Sequence, residues 1–297
     1  MRFSIVLFLH LAMMTTLQAQ SLAEKIAKNA SERLSKIENY AMLQDSVQPV
    51  ITAAMVKAMA TATPEEKEQL GTVEGIKSTL EEACQLLPAY CSNIRRFIIE
   101  DKTLRYYKLS DNEQANLHYN QGTAFMENDE LPQAISEFKS ALEYDPQFVF
   151  ALDHLALSYR RQKDYESALA YYNKSLAIFP EGDVALLNIA ATYSYMMDIA
   201  HAARYYDQLK FLYPDNPEGS FGMARMLFMA EQYDKALDNL FVAHEMYKKA
   251  NSPYLKDSEQ LMHIIYAKLK ELNKTDLMEQ KAREYHFTLS ELNLSNQ

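Results

Sequence analysis

The stretch from residue 149 to residue 182, VFALDHLALSYRRQKDYESALAYYNKSLAIFPEG, decides the fold, because its pattern recurs along the chain. Ala168 has counterparts at Ala134, Ala202 and Ala236, each 34 residues from the next. Pro146, Pro180 and Pro214 keep the same step, as do the small residues Gly122, Ala156, Ala190 and Ala224. Two columns of large residues run in phase with them: Phe125, Tyr159, Tyr193 and Leu227, then Phe138, Tyr172, Tyr206 and Leu240. A period of this length marks stacked structural repeats, because so small a unit cannot bury its apolar face alone.

The spacing within a unit describes two helices. Gln121, Leu155, Ile189 and Met223 precede the small residue, and the large residue follows it by three on one face of a first helix. The repeated alanine lies nine residues further on, inside a second helix. Small residues let the two helices approach, and the rings fill the holes beside them. The prolines close each unit and pre-set φ at the next turn.

These residues resemble the tetratricopeptide repeat family, whose pattern is W-x2-L-G-x2-Y, then A-x3-F, then Pro. The first unit carries Gln121-Gly122, Phe125, Ala134, Phe138, Ala141 and Pro146; the second carries Leu152, Leu155-Ala156, Tyr159, Ala168, Tyr172 and Pro180. The third carries Leu186, Ile189-Ala190, Tyr193, Ala202, Tyr206 and Pro214. The fourth matches with Met223-Ala224, Leu227, Ala236 and Ala243, and departs at Lys248, where the proline would stand. Trp is absent, and His118 and Ser220 replace the large first residue. The resemblance implies an all-α, right-handed α-solenoid of helical hairpins with a concave groove for protein segments. The expected units are 115–148, 149–182, 183–216 and 217–250, within a repeat region of 111–250.

The flanks read as helical but not repetitive. Over 20–110, Ser21-x-x-Glu24 has the form of a capping box, and Leu22, Ile26, Ala30, Leu34, Ile37 and Leu43 follow as a helical stripe. A second helix is expected from near Pro49, and a fresh start at Thr63-Pro64-Glu65-Glu66. Gly71 and Gly75 mark a break; a further stripe runs from Ile76 to Leu87 and ends near Pro88; a short helix covers Ile94 to Ile99. Ser110-x-x-Glu113 opens the first repeat helix. Over 251–297, a helix starting at Ser252-Pro253 breaks at Asn273, and a last helix begins at Thr275-Asp276, as a capping pair.

Composition narrows the function. The 297 residues contain only 6 Gly, where average usage of about 7% would supply roughly 20. That disfavours turn-rich sandwiches and glycine-loop nucleotide folds. A net charge of −10 without a basic stripe excludes nucleic acid as the natural partner. No phosphate-loop motif occurs, and Gly219-Ser220-Phe221-Gly222 lacks nucleophile-elbow spacing. His118, His154, His201, His244, His263 and His286 are scattered without metal-ligand spacing, so neither metal nor cofactor is expected.

At the N-terminus, Arg2, the apolar run Ile5 to Met14 and Ala19 compose an export signal, residues 1–19, with cleavage near Ala19. The run is too short to span a bilayer, and no later segment is apolar enough to do so. A bacterial periplasm or a secretory route fits. An oxidising compartment permits a disulfide between Cys84 and Cys91, the only cysteines. Unbroken helix would hold them about 10 Å apart, so a bridge requires the chain to fold back at Pro88. Two buried thiols are the other reading.

The function expected is a non-enzymatic interaction scaffold in an exported compartment. The alternatives are an envelope-assembly component whose groove is filled by its own N-terminal helices of 21–60, and an enzyme with its catalytic part in 21–110. By the family's geometry, the inner face of the first helices carries Asn116, Tyr119, Thr123, Phe150, Asp153, Leu157, Arg160, Leu187, Tyr195, Phe221, Arg225 and Phe228. Aromatic and Arg side chains dominate interface energetics. With Asp153 at its centre, this face is expected to take a segment with apolar anchors rather than an acidic tail.

Overall fold

The computed structural model describes residues 21–294 apart from Glu38, so the export signal lies outside the described residues. All regular elements among the described residues are helices. The chain divides into two compact units between Asp101 and Lys102.

The first unit holds α1 (Leu22–Leu34), α2 (Tyr40–Met59), α3 (Pro64–Gln69), α4 (Val73–Tyr90) and most of α5 (Ser92–Tyr106). Helix α1 is its axis, packed on α2 and α4, with Ile26, Ala27, Ala30 and Leu34 completely buried. Ser21 caps α1 by accepting from the Glu24 backbone, and Thr63 and Glu66 form a reciprocal capping box on α3. Glu66 also pairs with Lys25 at 2.9 Å, and the Tyr90 hydroxyl donates to Glu24.

Two expected breaks are absent. Pro49 lies inside α2 and Pro88 inside α4. An interior proline removes one helical hydrogen bond and costs about 3 kcal/mol, so packing must hold these helices together. At Pro88 the packing is visible: its side chain is buried beside Leu87, and Arg95 Nη1 donates to its carbonyl at 2.6 Å. The expected fold-back at Pro88 therefore does not occur. Cys84 and Cys91 are free thiols on one helical run, about 10 Å of helix rise apart. The last helix of this unit also outruns its expected end at Ile99.

The second unit begins with the last turn of α5, Lys102–Tyr106, and continues as helical hairpins. These are α6 (Glu113–Glu127) with α7 (Leu131–Tyr144), α8 (Val149–Arg161) with α9 (Tyr165–Ile178), α10 (Asp183–Tyr195) with α11 (Ile199–Leu212), and α12 (Pro217–Met229) with α13 (Tyr233–Lys249). The periodic columns are its core. Ala134, Ala168, Ala202 and Ala236 are fully buried, as are Ala156, Ala190 and Ala224. A Cβ on Gly122 would come within 2.7 Å of the Phe138 ring, so the ring occupies the space that the missing side chain leaves.

The scarcity of glycine has a specific resolution. Asp129, Lys163, Met197 and Glu231, spaced by 34 like the columns, all adopt positive φ between 58° and 66°. Each ends a first helix. The amide of the next residue then reaches back to the carbonyl of Phe125, Tyr159, Tyr193 or Leu227 at 2.9–3.0 Å, as in a Schellman turn. The left-handed position is filled by ordinary residues, and the hydrogen bond and packing offset the strain.

The stack closes with α14 (Leu255–Glu271) and α15 (Thr275–Glu284). Met262, Ile265, Leu269, Met278 and Ala282 bury against Leu240 and Phe241. Lys281 is buried at 7% exposure yet pairs with Asp238 at 2.7 Å, Asp234 at 3.1 Å and Glu284 at 3.2 Å. These carboxylates outweigh the burial of the ammonium and push its pKa up. Helix α14 starts at Leu255, just after Pro253, and Asn273 ends it with positive φ. At the other end of the stack, Asn112 caps α6, and Ser110 supports that cap by accepting from the Asn112 amide at 3.1 Å.

Two outcomes are expected. Met197 is 67% exposed, so Met197→Gly should remove left-handed strain at no packing loss and stabilise the repeats by roughly 1 kcal/mol; a lower urea midpoint would contradict this. Titration of the denatured, unreduced protein should find two reactive thiols; none would restore the bridge.

Candidate protein-binding face

The first helices of the repeats, α6, α8, α10 and α12, carry the expected inner-face residues. The structure sorts them into a covered end and an open end.

At the covered end, Tyr119 is partly buried against Phe148 at 5.0 Å and Phe150 at 6.1 Å. The segment Lys102–Ser110 lies over this cluster. The Tyr107 ring stacks on Phe150 at 5.4 Å, meets Phe179 edge-on at 5.4 Å, and donates its hydroxyl to Asp153 Oδ2 at 3.2 Å. Tyr106 stacks on the same Phe179 at 5.7 Å. Lys102 pairs with the buried Glu181 at 2.6 Å. Ser110 exchanges two hydrogen bonds with the side chain of Asn116 and donates to Asp145. Gly182, the N-cap of α10, makes room: a Cβ there would lie 3.1 Å from the Tyr107 hydroxyl.

Asp153 is therefore no open acidic centre. It is 3% exposed, and burial pushes its carboxyl up to about 7, against hydrogen bonds from Ser175 and Tyr107 that favour the charged form. Asp183 nearby adds to the upward shift and is itself raised by burial. Asp153 Oδ1 and Glu181 Oε2 are buried without a hydrogen-bond partner among the described residues. Thr123 is spent locally, its hydroxyl donating to the Tyr119 carbonyl at 2.9 Å.

At the open end, Tyr195 is 63% exposed. Tyr165 stacks parallel to it at 6.2 Å, and the Arg160 guanidinium lies over its ring at 5.7 Å. Arg225 is exposed, and Leu157 and Leu187 are partly buried. Phe221 and Phe228 are also partly buried, set against Tyr247 and Tyr233 at 6.0 Å each. The structure thus groups Tyr119, Phe150 and Asp153 at one end, and Arg160, Tyr195 and Arg225 at the other.

The covering residues Lys102, Tyr106 and Tyr107, and their seats Phe179, Glu181 and Gly182, escape the sequence reading. Their only signals are the Tyr106-Tyr107 doublet ahead of the first repeat and a lone glycine where other repeats carry Phe148 and Asn216.

Residues 119–183 match the family model described as tetratricopeptide repeat. No curated protein matches the chain. Among solved structures, MamA (41-end) from Desulfovibrio magneticus RS-1 is 13% identical with a TM-score of 0.51, covering 63% of this chain and 99% of that one. YrrB, described as a TPR protein with an unusual peptide-binding site, is 19% identical with a TM-score of 0.46, covering 63% and 91%. At 13% identity the MamA likeness shows the fold: a helical solenoid of this repeat type.

Burial of Asp153 has a measurable sign. With its carboxyl raised, the native state keeps a proton that the unfolded chain releases near pH 4. The associated stability is complete below that pH and is lost as pH rises through about 7. His154 and His244, held below the usual imidazole range by burial, act oppositely in part of this window. The readout is therefore a difference: between pH 5 and 8, the melting temperature of Asp153→Asn should rise relative to wild type. Parallel profiles would place the Asp153 carboxyl in its ordinary range.

Proposed function

We propose that this protein is a non-enzymatic interaction scaffold that works in an exported compartment and takes a protein segment along the inner face of its repeats. The observation that carries the reading is the open end of that face. Tyr195 stands 63% exposed between two arginines, held in place by Tyr165 but covered by nothing. An exposed aromatic beside Arg, on a rigid helical support, is the composition of an interface hot spot. The residues we assign to contact are Arg160, Leu187, Tyr195, Phe221, Arg225 and Phe228, with Tyr119, Phe150 and Asp153 available only where the covering segment yields.

The non-enzymatic part is supported by the work that candidate catalytic side chains already do. His118 binds Glu137 at 2.7 Å, His201 binds Asp198 at 2.7 Å, and His244 is buried against Ser258 at 2.9 Å. Export is supported by the sequence pattern ending at Ala19, and among the described residues no helix is long and apolar enough to cross a membrane.

A second reading, an assembly component with a self-filled groove, draws support from the Lys102–Ser110 segment. That segment covers the Tyr119 end and leaves Tyr195 open, which favours the scaffold.

The test is a crosslinked pull-down from the native compartment. Substituting Tyr195 and Arg225 together by Ala should reduce partner capture at least tenfold, with unchanged helical circular dichroism. Undiminished capture would move the binding site off this face.

A further inference from the structure

We propose that the open end of the inner face recognises an acidic stretch of its partner, with a partner carboxylate on Arg160 and Arg225 and an apolar side chain against Tyr195 and Leu187. This rests on the scaffold reading and specifies the chemistry of its partner.

Arg160 supplies the first observation. Its guanidinium is held over Tyr195, yet its Nε is buried with no hydrogen-bond acceptor among the described residues. A buried donor without an acceptor is destabilising, and an incoming carboxylate satisfies it with a charge-assisted bond. Arg225 supplies the second. It is exposed, and among the described residues no carboxylate lies within ion-pair distance of it or of Arg160. The two arginines belong to one site, because Tyr206 is fully packed beneath with its phenol in the field of both Arg225 and Tyr195. The acids of nearby turns are engaged elsewhere: Asp129 with Arg161 at 2.7 Å, Asp198 with His201 at 2.7 Å, and Glu218 with the Tyr247 hydroxyl at 2.7 Å.

The covered end shows the same face selecting by charge in the opposite sense. There Asp145, Asp153, Glu181 and Asp183 lie under the chain's own segment, which brings Lys102 to Glu181 at 2.6 Å and a hydroxyl to Asp153. With acid at one end and arginine at the other, the inner face is polar along its length. Charge arranged in this way sets the register and direction of a bound segment. Because Asp153 is buried beneath Tyr107, it does not repel an anion at the open end, and the expected exclusion of acidic segments is withdrawn.

The experiment uses the full chain and three labelled synthetic peptides. They share one spacing of Leu and Tyr, have blocked termini, and carry Glu, Gln or Lys at the remaining positions. The Glu peptide should bind at least tenfold tighter than the Gln peptide and weaken with added salt. Arg160→Gln and Arg225→Gln should each weaken the Glu peptide severalfold and leave the Gln peptide unchanged. Arg225 is exposed, so its variant keeps the test standing even where Arg160→Gln disturbs folding. Equal or tighter binding of the Gln or Lys peptide, abolished by Tyr195→Ala, would overturn the acidic preference while retaining the groove. Failure of all three peptides would overturn both.

Discussion

Everything in the repeat unit depends on one contact: a ring or large aliphatic side chain from the second helix of a hairpin seated where the first helix carries no side chain beyond Cβ. Phe138 fills the space above Gly122, and Tyr172 is fully buried beside Ala156. Burying a side chain of this size contributes roughly 1.5–3 kcal/mol. It does so only if the helices approach closely, which the small column permits and any larger residue prevents. Repetition of this contact every 34 residues makes the stack additive, each hairpin supporting the next.

Close packing also explains the turns. A short connection between two tightly packed helices needs one residue in the left-handed region, and glycine is its usual occupant. Here Asp129, Lys163, Met197 and Glu231 take that conformation. The hairpin contacts and the back-reaching amide over-determine the backbone, so strain at one residue is carried by the interface on either side. The low glycine count argues against glycine-rich folds, yet it does not remove positive φ from the chain.

The inner face is where stability and recognition separate. Its covered end resembles a core, with stacked rings and carboxylates removed from water. Its two half-satisfied buried carboxylates, Asp153 and Glu181, make that core an imperfect one. Its open end keeps Tyr195 and Arg225 in solvent on rigid helices, so little order has to be imposed when a segment binds.

The sequence by itself determined the helices, the hairpin repeat and the identity of the buried columns. All of these follow from local periodicity, since residues that share a helix face are a few positions apart. It also placed Tyr195 and Arg225 on the face where the structure leaves them open. Only the tertiary structure decided that α2 and α4 run through Pro49 and Pro88, because packing elsewhere outweighed a local helix-breaking preference. It alone decided that Lys102–Ser110 covers one end of the face and that Asp153 loses its ordinary acidity there. Tyr107 and Asp153 stand 46 residues apart with no shared period, and whether a carboxylate meets water or a tyrosine depends on which distant segment folds over it.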